Sequence, residues 1–186
     1  MAVVSRKDIA TQVTKTLDSR TRLPKKTYIL ECIKQEFGIS KNSKQPMVTR
    51  YWQILTPETL RIDGVETTVA GTEMIQYRPL RSNGNKEKNI TPETATANAL
   101  DRYFTDNGLM GLNSETVDQD AGPEDTAEGL KVAAICYGKD KSPTEDPDEP
   151  GGKREPIYDP VTGKPLERYE NVIGEILGLA KVSTIG

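Results

Sequence analysis

Two runs rich in β-branched and aromatic residues, TYILECIKQEF at 27–37 and PMVTRYWQIL at 46–55, flank the connector GISKNSKQ. Such residues fit a pleated, half-buried surface, and a link of Gly, Ser, Lys and Asn between two such runs is the sequence form of a β-hairpin with a mobile tip. Alternation sets Tyr28, Leu30, Cys32 and Lys34 against Ile29, Glu31, Ile33, Gln35 and Phe37 in the first strand. In the second it sets Val48, Arg50, Trp52 and Ile54 against Met47, Thr49, Tyr51, Gln53 and Leu55. No set is wholly apolar, as expected where strongly bent strands change the covered face. Trp52 and Ile54 are assigned to the core and Tyr51 to the open face. Indole serves equally as a stacking platform, so the opposite assignment for Trp52 stays open.

The hairpin is also basic, with Lys34, Lys41, Lys44 and Arg50 in it and Lys25 and Lys26 just before it. Cations and aromatics on one face and tip are what an oligonucleotide-binding barrel presents to a single strand. The order LPKKTYILECIKQEF, SKNSKQPMV and WQILTPE resembles the opening of bacteriophage single-stranded DNA-binding proteins with an OB fold. That family commonly has a glycine before the tyrosine, where this chain has Lys26 and Thr27, and Gly-Asn in the turn, where it has Lys44 and Gln45. The resemblance implies a protein that coats and protects single-stranded DNA during phage replication or recombination. It further implies contacts with replication or recombination proteins and a bacterial host cytoplasm.

Further along, Asp63-Gly64 marks a turn, and a third strand is expected over 72–80, carrying Tyr77 and Arg78 with Arg81 just beyond. An arginine beside an exposed tyrosine can stack on a base while reaching a phosphate; a solvated strand end is the plainer alternative. A helix is expected from Pro92 to Asn107. Thr91 is its N-cap, Pro92 its first residue and Asn107-Gly108 its stop, with Ala95, Ala99, Leu100, Tyr103 and Phe104 on one stripe. The acidic stretch 112–129 reads as a flexible loop. A fourth strand over 130–139 faces Leu130, Val132, Ala134 and Cys136 inward and Lys131, Tyr137 and Lys139 outward. A proline-rich loop spans 140–165 and a fifth strand 168–179, whose Gly174 and Gly178 permit bending at closure. Residues 1–22 read as an arm or short helix from Ser5 to Leu17, and 183–186 as a tail.

The expected fold is therefore mostly β, a five-stranded OB-type barrel over 23–182 with one helix between its third and fourth strands and long acidic loops. The candidate nucleic-acid-binding residues are Lys34, Lys41, Lys44, Arg50, Tyr51, Tyr77, Arg78, Lys131, Tyr137 and Lys139. Net charge is −3 over 186 residues, yet 1–107 hold 17 Lys and Arg against 12 Asp and Glu, and 108–186 hold 8 against 16. Segregated charge suits a polyanion ligand on one side; loops that happen to be acidic would give the same count.

Catalysis is not expected. The chain has no histidine, the commonest general acid/base and metal ligand, and two isolated cysteines cannot replace it. Cys32 and Cys136 fall within strands and read as buried free thiols. No phosphate-binding glycine loop occurs, Gly151-Gly152-Lys153 is a linker, and the acidic run from Glu145 to Glu149 lacks a calcium-loop pattern. No cofactor or metal is expected. With 34% hydrophobic residues and a mean hydropathy of −0.61, the core is modest and no apolar run crosses a membrane. A homo-oligomer is possible. The rival function is a virion structural or assembly protein with a β-barrel or β-sandwich core.

Overall fold

The computed structural model describes residues 22–140, 161 and 169–181. The expected N-terminal arm, most of the 140–165 loop and the tail lie outside them. Among the described residues, seven strands and one helix occur in the order β1 (Lys26–Ile39), β2 (Pro46–Thr56), β3 (Thr59–Ile62), β4 (Val65–Thr68), β5 (Glu73–Pro79), α1 (Pro92–Leu109), β6 (Lys131–Asp140) and β7 (Tyr169–Leu179). Five of them form one antiparallel sheet in the order β5-β2-β1-β6-β7, while β3 and β4 pair only with each other. Their turn is Asp63-Gly64, with φ of 49° and 79°, the left-handed pair that a two-residue hairpin demands.

The closed barrel expected from the sequence is not formed. β5 and β7 are the two edges of an open sheet and share no ladder. They approach each other, and α1 touches both, so side-chain packing rather than backbone pairing joins the edges.

β1 explains why alternation gave no clean face. Its register against β2 shifts between Cys32 and Lys34, so Ile33 is an extra residue and stands 43% exposed. The bulge reverses parity: Tyr28, Leu30 and Cys32 face inward before it, Gln35 and Phe37 after it. Opposite, β2 turns Val48, Arg50, Trp52 and Ile54 inward.

The inward face splits into two apolar clusters. The larger holds Tyr28, Leu30, Cys32, Trp52, Ile54, Met74, Met110, Val132, Ala134, Cys136 and Ile176; the smaller holds Val48, Leu80 and Tyr103 with Phe37, Leu100 and Phe104. Trp52 is thus core, its indole N–H donating to Gln76 Oε1 at 3.2 Å. Both cysteines are buried free thiols; burial pushes Cys32 up to about 11 and Cys136 up to about 12.

Between the clusters four elements contribute polar residues: Gln35 from β1, Arg50 from β2, Gln76 and Arg78 from β5, Asp106 and Asn107 from α1. Arg50 donates from Nε to Gln35 Oε1 (3.0 Å) and from Nη2 to Asn107 Oδ1 (2.8 Å), and lies 5.4 Å from the Tyr103 ring. Gln76 Nε2 (3.4 Å) and Arg78 Nε (2.7 Å) both donate to Asp106 Oδ2. Thr91 caps α1 through Thr94 N–H as expected, but the helix runs two residues past Asn107. Asn107 is bound by Arg50 and donates to Asn113 O, and so acts as a buried helix residue rather than a stop.

Residues 112–129, expected to be flexible, are fastened by their backbone and side chains. Ala127 N–H donates to Gln35 Oε1 (3.0 Å), Gly129 N–H to Cys32 O (2.8 Å), and Asp118 Oδ1 accepts from the amides of Asp120 and Ala121. Few apolar residues anchor the segment, Ala127 and Leu112 at the larger cluster and Val117 at the smaller, and these hydrogen bonds fasten the rest.

Candidate nucleic-acid interface

The outward face follows from the same register. Lys34 lies opposite Tyr51, Tyr51 opposite Ile75, and Thr49 opposite both Glu36 and Tyr77. On β6 the residues between the buried Val132, Ala134 and Cys136 are Lys131, Ala133, Ile135 and Tyr137, so these turn outward too, with Lys139 following. Lys34, Tyr51, Tyr77, Lys131, Tyr137 and Lys139 therefore share one side of the sheet.

Within that side, four candidates gather. Lys34, Tyr51 and Tyr77 stand on adjacent strands, and Lys41 rises from the β1–β2 loop. An open groove of ≈ 810 Å³ is lined by Lys41, Tyr51 and Tyr77, with Glu36, Thr49, Met47 and Phe37 also on its walls, and Lys34 stands beside it at the Tyr51 ring. Tyr77 is 52% exposed. Lys34 Nζ lies 5.5 Å from the Tyr51 ring and pairs with the Glu36 carboxylate, which also accepts from Tyr51 Oη at 3.0 Å. These contacts hold Glu36 below the usual carboxylate range, first through Lys34, and raise Lys34 and Tyr51.

The β1–β2 loop is tied down rather than loose. Ser40 and Gln45 close it with backbone bonds. Asn83 then bridges it, donating to Ser43 O (2.9 Å) and accepting from Gln45 Nε2 (2.7 Å). Lys44 sits on this loop at φ 59°, exposed.

The remaining candidates divide. Lys131 lies opposite Glu31 and Lys139 opposite Glu170, so each of these cations has a carboxylate residue across the ladder. Tyr137 lies at the far end of the sheet, with Lys25 Nζ 5.8 Å from its ring. Two arginines do not belong to this surface. Arg50 is fully buried in the polar layer, and Arg78 reaches inward to Asp106. Both occupy strand positions whose neighbours face the core, so their reading as phosphate contacts is corrected.

Sequence reasoning missed Glu36, Met47 and Phe37 in the groove, and Lys25 and Arg61 near Tyr137. Two of them had a visible signal: Glu36 is a carboxylate two residues from Lys34 on one strand, and Lys25 belongs to the basic entrance of the hairpin. Among the described residues no cluster of His, Cys, Asp and Glu could hold a metal ion, and no helix is long and apolar enough to cross a membrane. Comparison with protein-family models, with curated proteins and with solved structures gives no match.

Proposed function

We propose that this chain binds single-stranded DNA as a phage-type OB-like protein, stacking bases on tyrosines and pairing phosphates with lysines. The observation that carries the reading is the groove between Tyr51 and Tyr77, with Lys34 and Lys41 beside it, on the side of the sheet turned away from the core. Exposed aromatics on rigid strands accept any base, because every base has a π face. Lysines on a fastened loop contact phosphates without losing further loop entropy. The strand order β5-β2-β1-β6-β7 is that of an OB barrel opened between its third and fifth main strands, which supports an OB-type ancestry for the sheet. Its work is to coat and protect unpaired DNA during replication or recombination, with no chemistry of its own.

A second reading, a virion assembly protein, is supported by the edges. β5 exposes Ile75 and Tyr77, and β7 exposes Leu177 and Leu179, between 43% and 52%. Apolar side chains left exposed on edge strands offer a surface to another copy. Sizing chromatography with and without oligo-dT separates the two: co-elution with the oligonucleotide supports the first, and oligomers that ignore it support the second.

A further inference from the structure

We infer that the cleft between the β3–β4 hairpin, the start of β1 and the end of β6 is a second polynucleotide subsite, taking a base on Tyr137 and a phosphate between Lys25 and Arg61. The inference rests on the proposed function and extends it to a site at the opposite end of the sheet. The cleft, ≈ 440 Å³, is lined by Tyr137 and by the cations Arg22, Lys25 and Arg61, with Asp63 as its one carboxylate among the described residues.

Three observations point to a nucleotide. The Tyr137 ring is pinned against β7 at Gly174, where a Cβ would sit 2.8 Å from Tyr137 Cε1. A ring already held in place loses little freedom when a base stacks on it. Next, two of its cations, Lys25 and Arg61, are not neutralised from within the described residues. Lys34, Arg78 and Arg81 pair with Glu36, Asp106 and Asp120, whereas among the described residues Lys25 and Arg61 have no carboxylate partner. Glu66, across the ladder from Arg61, instead accepts from Thr59 Oγ1 at 3.3 Å. Third, the hairpin that carries Arg61 is fixed. Leu60 and Ile62 pack against the main core, leaving Arg61 between them exposed.

Tyr137 and Tyr51 lie on the same side of the sheet, so one polynucleotide can touch both. From Lys34, beside Tyr51, back to Lys26, beside Cys136, β1 rises roughly 25 Å. A strand reaching both rings crosses β1 obliquely, and an oligonucleotide too short for that path fills the Tyr51–Tyr77 groove alone. Affinity then depends on length in a way that variants of the cleft remove.

The test is fluorescence anisotropy with oligo-dT of about four and of about sixteen nucleotides, the two ends of the range one such domain covers. Wild type is compared with Arg61→Glu, Lys25→Glu and Tyr51→Ala. Both charge reversals are at exposed positions, and Arg61 lies outside the main sheet, so they leave the fold intact. The expected result is that each reversal weakens the long oligonucleotide about tenfold and changes the short one by less than about twofold, while Tyr51→Ala weakens both. Should the reversals leave the long oligonucleotide at wild-type affinity while Tyr51→Ala still weakens it, the cleft is no subsite and the groove stands. If wild type binds neither length at low salt, the cleft and the proposed function fall together.

Discussion

At the scale of single residues, Glu36 is the one that works against the proposed interface it sits in. Its carboxylate occupies Lys34 and holds the Tyr51 hydroxyl, so a phosphate approaching Lys34 must displace it. Exposed pairs of this kind are weakly held, which makes displacement feasible and its removal measurable. Glu36→Gln is expected to bind oligo-dT a few-fold more tightly than wild type, with unchanged thermal midpoint; weaker binding would mean Glu36 serves the ligand and does not compete with it. Tyr77→Ala, at a half-exposed strand position, is expected to lower affinity roughly tenfold by removing one stacking partner. Titration by anisotropy at fixed salt reads both, and unchanged affinity for Tyr77→Ala would remove it from the interface.

Among the elements, the polar layer between α1 and the sheet holds the molecule together. Asp106 is the carboxylate that Arg78 and Gln76 share, and its charge also favours the buried cation of Arg50, whose pKa burial lowers. Asp106→Asn leaves two guanidinium groups without that charge and is expected to cost about 3 kcal/mol in urea unfolding. Oligonucleotide affinity of the folded variant should stay at wild type, because this layer lies on the other side of the sheet from the groove. The elements themselves were legible in the sequence. β-Branched runs and the Thr91-Pro92 start mark five main strands and a helix to within a residue or two, and Asp63-Gly64 marks the turn whose two short strands, β3 and β4, were not expected. The faces were not. A bulge at Ile33 reverses β1 through a register that only the neighbouring strands set, and nothing near Arg50 in the chain distinguishes a guanidinium bound to Asn107 from one in solvent. Closure was equally hidden, because whether β5 and β7 pair depends on accumulated twist and on α1, not on either strand's residues.

For the molecule as a whole, the buried thiols and Tyr28 set an alkaline limit. Cys32, Cys136 and Tyr28 ionise in the fold at about 11, about 12 and about 12, against 9.0, 9.0 and 10.0 for exposed groups, because burial disfavours their charged forms. Folded pKa values above the unfolded ones mean that the unfolded chain releases its protons first. The stabilisation is complete below about pH 9 and is lost as pH rises towards 12. Urea midpoints should therefore fall across that window, and Cys136→Ala should fall less steeply than wild type; a flat profile would contradict the burial of these groups. The account's central claim, an unpaired polynucleotide lying along the outward face of an open five-stranded sheet, is tested most directly by a salt titration of fluorescent oligo-dT against duplex DNA of the same length. It predicts tight binding to the single strand at low salt, weaker binding to the duplex, and a linear loss of log affinity with log salt. Absence of binding at low salt, or equal affinity for the duplex, would contradict it.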